Sequence, residues 1–169
     1  MRIVVSDSSC LIDLQKISLL DAFLRLPYEI LIPNTLFEDE LLSFSTAQKR
    51  ALIRTGLKVV DIPGERVLRA QQVLRDAPRL SIHDAFALVL AESEKGCILL
   101  TGDGNLRTLA VTRNIEVHGV LWVIDELHTH KISASRDLHA ALQLLVDDPT
   151  VRLPRRDLMA SLKRFEAKR

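Results

Sequence analysis

The stretch CILLTGDGN, residues 97–105, runs through four apolar residues and then breaks into threonine, two glycines and an aspartate. An apolar run this short, without polar alternation, is the pattern of a strand buried on both faces, and such strands belong to parallel sheets covered by helices. A central strand is therefore predicted over 97–100, ending at 101–104. Upstream, LSIHDAFALVLAE (80–92) reads as a strongly apolar helix that Gly96 closes. Downstream, a helix over 105–112, a short strand over 115–117 and a helix around 121–127 are predicted.

The same alternation holds nearer the N-terminus. Residues 2–5 form a β-branched run that stops at Ser6-Asp7-Ser8-Ser9, and Leu11, Ile12, Leu14, Ile17, Leu19 and Leu20 return at helical spacing. YEILI (28–32) is a second strand, which Pro33 ends; Asn34 or Thr35 is placed to cap a helix carrying Leu36, Phe37, Leu41 and Leu42. A helix over 45–54, a strand over 57–62 and a helix over 65–74 follow. Short apolar strands separated by amphipathic helices imply an α/β fold, an α/β/α sandwich with a mostly parallel central sheet, because parallel neighbours need crossover helices. After residue 133 only helical patterns remain, at 138–146 and 156–165. The expected organisation is a domain over 1–132 and a C-terminal helical extension, 133–169, packing on the same core.

Composition excludes several classes. In 169 residues, 47% hydrophobic and 27% charged residues suit a globular chain, and six Gly and six Pro exclude collagen-like or low-complexity character. No apolar run approaches the roughly 18 residues of a membrane span, and the first residues turn polar too early for a signal peptide, so a cytoplasmic protein without membrane association is expected. Cys10 and Cys97 sit in apolar company and read as small buried residues, neither a disulfide pair nor a zinc site. The net charge of +1 is unevenly spread. From Val151 onward Arg152, Arg155, Arg156, Lys163, Arg164, Lys168 and Arg169 face only Asp157 and Glu166, leaving this tail at +5. Such a tail is either a solvated helical face or a surface for a polyanion such as RNA or for an acidic partner. Leu153, Leu158, Leu162 and Phe165 are expected to dock it on the body, with RNA contact a minor addition.

In an open α/β sheet the functional crevice lies beyond the C-terminal ends of the strands. Four acidic positions fall there: Asp7 after the first strand, the cluster Glu38-Asp39-Glu40 in the helix after Pro33, Asp84 in the first turn of the apolar helix, and Asp103 after the strand 97–100. Singly, each has an ordinary explanation as a cap, a turn residue or a solvated face. Together at one sheet edge they would repel unless a cation sits among them. Oxygen ligands without a His/Cys set favour Mg²⁺ or Mn²⁺, and carboxylates around such ions orient water and stabilise charge in phosphodiester cleavage. His83 is expected to point to another face than Asp84. The pair His128 and His130 is read as a turn, and Phe37, Phe44, Phe86 and Trp122 are read as core.

These segments resemble the PIN-domain family. IVVSDSSCLIDL (3–14) is similar to its opening strand, aspartate, small hydroxyl residues and helix. IPNTLFEDEL (32–41) resembles its proline, apolar residue and acid; LSIHDAFALVLAE its central Asp-bearing helix; ILLTGDGNLRTLA (98–110) its strand ending in Thr-x-Asp; and VHGVLWVIDEL (117–127) its close. The pieces occur in the family's order across about residues 1–125. The resemblance implies a Mg²⁺- or Mn²⁺-dependent ribonuclease acting on single-stranded RNA, as in the VapC-like toxins of toxin-antitoxin pairs, with a cognate antitoxin and a homodimer as possible partners. It implies Asp7, Asp84 and Asp103 as catalytic, metal-holding acids, supported by Ser8, Ser9 and Thr101. The second acid is Glu40 or Asp39: counting from Leu36 selects Asp39, while an acid directly before a leucine selects Glu40, which is preferred for its reach and for the anchor of Leu41. Asn105 is placed to hold a ligand water. The alternative is a catalytically degenerate PIN-like binding or scaffold module.

Overall fold

The computed structural model describes residues 1–166, so Lys168 and Arg169 of the basic tail lie outside the described residues. Five strands, β1 (Arg2–Ser6), β2 (Tyr28–Pro33), β3 (Lys58–Val60), β4 (Ile98–Leu100) and β5 (Glu116–His118), form one sheet in the order β3-β2-β1-β4-β5. Every pairing is parallel. The helices are α1 (Ser8–Lys16), α2 (Leu20–Leu24), α3 (Asn34–Asp39), α4 (Thr46–Thr55), α5 (Gly64–Asp76), α6 (Ile82–Ser93), α7 (Gly104–Thr112), α8 (Val120–Thr129), α9 (Ser135–Asp147) and α10 (Arg155–Phe165). The sheet is thus the predicted parallel one, with β1 at its centre and β4 beside it. β1 and β4 are buried at Val4, Val5, Ile98, Leu99 and Leu100, as strands covered on both faces must be. No helix among the described residues is long and apolar enough to cross a membrane.

The helix boundaries are set by a recurring exit. Ser18, Asn114 and Lys131 have positive φ of 59°, 59° and 55°, and Gly56 has 126°. At each, the next residue's N–H returns to a carbonyl five residues back: Leu19 to Leu14, Leu57 to Leu52, Ile115 to Ala110 and Ile132 to Leu127, at 2.9–3.1 Å. This left-handed cap satisfies carbonyls left open at the helix end and turns an apolar side chain back onto the core. It splits the first predicted helix into α1 and α2. It also moves the turn expected at His128–His130 to Lys131, leaving His128 in the last turn of α8. α3 differs as well: it stops at Asp39, with Leu41 buried and Leu42 exposed, and Asn34 and Thr35 lie inside it rather than capping it.

α9 and α10 contribute Leu138, Ala141, Leu142, Leu145, Leu158 and Phe165 to the same apolar cluster as the sheet. Arg164 pairs with Asp125 of α8 at 2.6 Å and lies over the Phe165 ring, whose edge meets His128 at 5.2 Å between centroids. Both cysteines are buried and free.

Candidate active site

The strand order reverses between β1 and β4: the chain lays β2 and β3 on one side of β1 and then β4 and β5 on the other. Such a switch point opens a crevice beyond the strand ends, because the connections leave in opposite directions. Register fixes what borders it. Ser6 lies beside Leu100 and Leu100 beside His118, so Asp7, Thr101 and Gly119 follow in a row. The Asp7 N–H donates to the Leu100 carbonyl at 2.9 Å and the Thr101 N–H to the His118 carbonyl at 3.0 Å, continuing the ladder past the strands.

Asp7 is the N-cap of α1 and only 4% exposed. Its Oδ1 accepts from the Ser9 hydroxyl at 2.9 Å and the Cys10 N–H at 3.0 Å, and its Oδ2 accepts a short bond from the fully buried Thr101 hydroxyl. Burial pushes its carboxyl up to about 6, against the pull of these donors. Burial dominates because hydrogen bonds replace only part of the water a carboxylate loses. Cys10 behind it is pushed up by burial and by the charges of Asp7 and Asp13, with Arg107 pulling the other way.

Thr101 links this acid to the next. Its Oγ1 accepts from the Asp103 N–H at 3.0 Å, and Asp103 caps α7 through an Oδ1 bond from the Leu106 N–H at 2.8 Å. On the other side, the Ser8 hydroxyl donates to Glu40 Oε1 at 2.6 Å. Asp7, Asp103 and Glu40 are therefore joined through the hydroxyls of Thr101 and Ser8 and the backbone around them. Ser9 and Thr101 touch Asp7, and Ser8 supports Glu40. Asp39 is turned instead to His83, whose Nε2 lies 3.1 Å from Asp39 Oδ2 and whose Nδ1 lies 3.8 Å from Glu40 Oε2. The expectation that His83 faces elsewhere is thus corrected: in the first turn of α6 it reaches the acidic end of α3. Asp84 forms a capping box with Ser81, its Oδ2 accepting from the Ser81 N–H at 3.0 Å while its own N–H donates to Ser81 Oγ. Asn105 is exposed in the first turn of α7.

Among the described residues no three His, Cys, Asp or Glu side chains converge closely enough to hold a metal ion. The donors at the crevice are carboxylates and hydroxyls, the chemistry of a hard divalent cation, and Asp7 is a buried acid with no ion-pair partner among the described residues. The donor set fits such an ion in its chemistry: Asp7, Glu40 and Asp103 have the oxygens to hold it, and Asp84 commits only its Oδ2 to the Ser81 N–H. Besides His83, two residues that the sequence did not single out border the crevice: Asp13 and Arg107. Asp13 and Arg107 follow Ser9 and Asp103 by four residues, one helical turn, which is the signal that locates them.

A family model described as a PIN domain matches residues 3–167, and the chain belongs to that family. No curated protein matches the chain. PIN domains are in general nucleases and generally use divalent metals, so the class of protein is a nuclease-type hydrolase fold with its acids at the sheet's C-terminal edge.

Proposed function

We propose that the protein is a Mg²⁺- or Mn²⁺-dependent ribonuclease that hydrolyses phosphodiester bonds of single-stranded RNA, with Asp7, Glu40, Asp84 and Asp103 as its acids. The observation that carries this reading is Asp7: a buried carboxylate at the switch point, raised to about 6 by burial, and joined through Thr101 to Asp103. A site that holds a carboxylate out of water at this cost suits a cation brought in with the substrate. Bound among these oxygens, the ion would acidify a water and offset charge on the phosphodiester. Ser9, Thr101 and the Cys10 N–H fix the Asp7 carboxylate, and Ser8 turns Glu40 towards the same edge.

Between the two candidates for the second acid, the Ser8 bond favours Glu40, while His83 draws Asp39 aside. The competing reading is a module that keeps the fold without chemistry; the bond from the Ser81 N–H to Asp84 Oδ2 does not separate the two, since Asp7 and Asp103 cap helices as well. Substitution decides between the two readings. Asp7→Asn and Asp103→Asn are each expected to abolish Mn²⁺-dependent cleavage of a single-stranded RNA while preserving the fold by circular dichroism; undiminished cleavage in both would sink the assignment. A homodimer and a cognate antitoxin complete the toxin reading, and sedimentation and co-expression with the adjacent reading frame test them.

A further inference from the structure

The segment between α9 and α10 returns to the crevice. Asp148 closes a turn by accepting from the Thr150 N–H at 2.9 Å and its hydroxyl at 2.6 Å, and Lys16 at the end of α1 reaches Thr150 Oγ1 at 3.4 Å and Asp148 at 3.9 Å. So fastened, the chain carries Arg152 past Asp103. On one side of it a cavity of about 290 Å³ is bounded by Ser9, Asp13 and Gly102; on the other a groove of about 790 Å³ is bounded by Thr101, Asn105, Arg107 and Gly119. Arg152 and Asp103 border both.

Two guanidiniums therefore share this groove with an acid of the candidate centre. Among the described residues neither Arg107 nor Arg152 forms an ion pair, whereas Arg2, Arg69, Arg113 and Arg164 each hold a carboxylate. Arg107 has one long contact, to the Thr101 carbonyl at 3.5 Å. A Cβ on Gly119 would lie 3.4 Å from Arg107 Nη2 and 3.5 Å from that carbonyl, ordinary van der Waals contact, which places the Arg107 guanidinium beside Gly119 at the end of β5. Asp103 and Asp157 also line the groove, but neither pairs with these arginines; an arginine that no carboxylate engages has its planar fork of donors free, and that fork matches the oxygens of a phosphate. The groove needs such cations, because its aspartates alone would repel a polyanion.

We propose that Arg107 and Arg152 form a phosphate-binding pair that holds the backbone of single-stranded RNA along the groove leading away from Asp103. The choice of RNA rests on the nuclease reading above; the pairing of the two arginines rests on the groove itself. Arg107 comes from the helix that Asp103 caps and Arg152 from the C-terminal extension, so the extension takes part in substrate binding as well as in the core. Arg155 and Arg156 begin α10 outside the groove lining and are not part of the pair.

The test is fluorescence anisotropy of a labelled oligouridylate with the full chain in chelator, where no cleavage competes, over a range of KCl concentrations. Each phosphate contact contributes about 0.7 to the log-log salt slope of single-strand binding, so Arg107→Gln and Arg152→Gln are each expected to lower the slope by about 0.7 and the double variant by about 1.4. Lys95→Gln, at the opposite edge of the sheet, is expected to leave it unchanged. Both arginines are exposed, and matching thermal melts establish that the variants fold. A double variant that keeps the wild-type slope overturns the pair. Wild-type cleavage with Mn²⁺ separates the two claims: an unchanged slope in a protein that cleaves RNA retires the pair alone, while an arginine-dependent slope without cleavage retires the nuclease reading and supports the pair.

Discussion

Asp7 occupies a place that a carboxylate holds only at a cost. Its carboxyl rises from 3.8 to about 6 through burial, so the folded protein takes up its proton more readily than the unfolded chain does. The sign follows: below 3.8 the acid is neutral in both states and costs nothing, the penalty grows as pH rises from 3.8 to about 6, and above 6 it is present in full. Two pH units correspond to roughly 3 kcal/mol. Asp7→Asn keeps a side chain able to cap α1 and removes the charge. In chelator, its stability relative to wild type is expected to rise by up to about 3 kcal/mol between pH 4 and pH 7 and then level off. Urea unfolding of both proteins across this range measures it, and a pH-independent difference would contradict the burial account. The position of Asp7 was legible because a β-branched run followed by Asp-Ser-Ser can hardly be anything but a strand running into a capped helix. Its Thr101 partner, ninety-four residues on, was legible only as a neighbouring strand end.

At the scale of elements, what the sequence conceals is where helices stop. Gly56 announces its exit, but Ser18, Asn114 and Lys131 take a left-handed conformation without a glycine; the end of α7 at Thr112 was read correctly, whereas the returning Leu19 reads locally as continuing apolar periodicity and α8 runs on to Thr129, past the predicted 127. α3 was overextended for another reason. Its acidic end is organised by Ser8 and His83 from other elements, and no local pattern within 32–41 reports them. α10 was easier to place, because Leu158, Leu162 and Phe165 repeat at helical spacing. Leu158 and Phe165 are buried and Leu162 packs against the core partly covered. Phe165→Ala removes a buried ring that also meets His128 and Arg164, and is expected to cost about 3 to 5 kcal/mol, read as a lower urea midpoint. Arg155→Gln and Arg156→Gln on the exposed face are expected to stay within about 0.5 kcal/mol of wild type. A Phe165→Ala protein as stable as wild type would mean that this helix does not dock.

Across the whole molecule, parallel pairing sends every strand end to the same edge, and that is why acids from positions 7, 40 and 103 gather there without any local motif joining them. The same geometry concentrates negative charge. A cation that binds the folded edge and not the unfolded chain stabilises the fold by mass action, about 2.7 kcal/mol at a hundred times its dissociation constant. For a chain of this length each kcal/mol moves the melting temperature by about 2 to 4 °C, so saturating Mn²⁺ is expected to raise Tm by roughly 5 to 10 °C. Because the ion competes with protons for Asp7, the rise is expected to shrink as pH falls through about 6. Asp7→Asn is expected to remove most of it, although the same substitution stabilises the metal-free protein, and this reversal separates a metal site from general charge relief. Calorimetric melts of both proteins with and without Mn²⁺ decide the matter: equal shifts in wild type and Asp7→Asn would place the ion elsewhere on the surface.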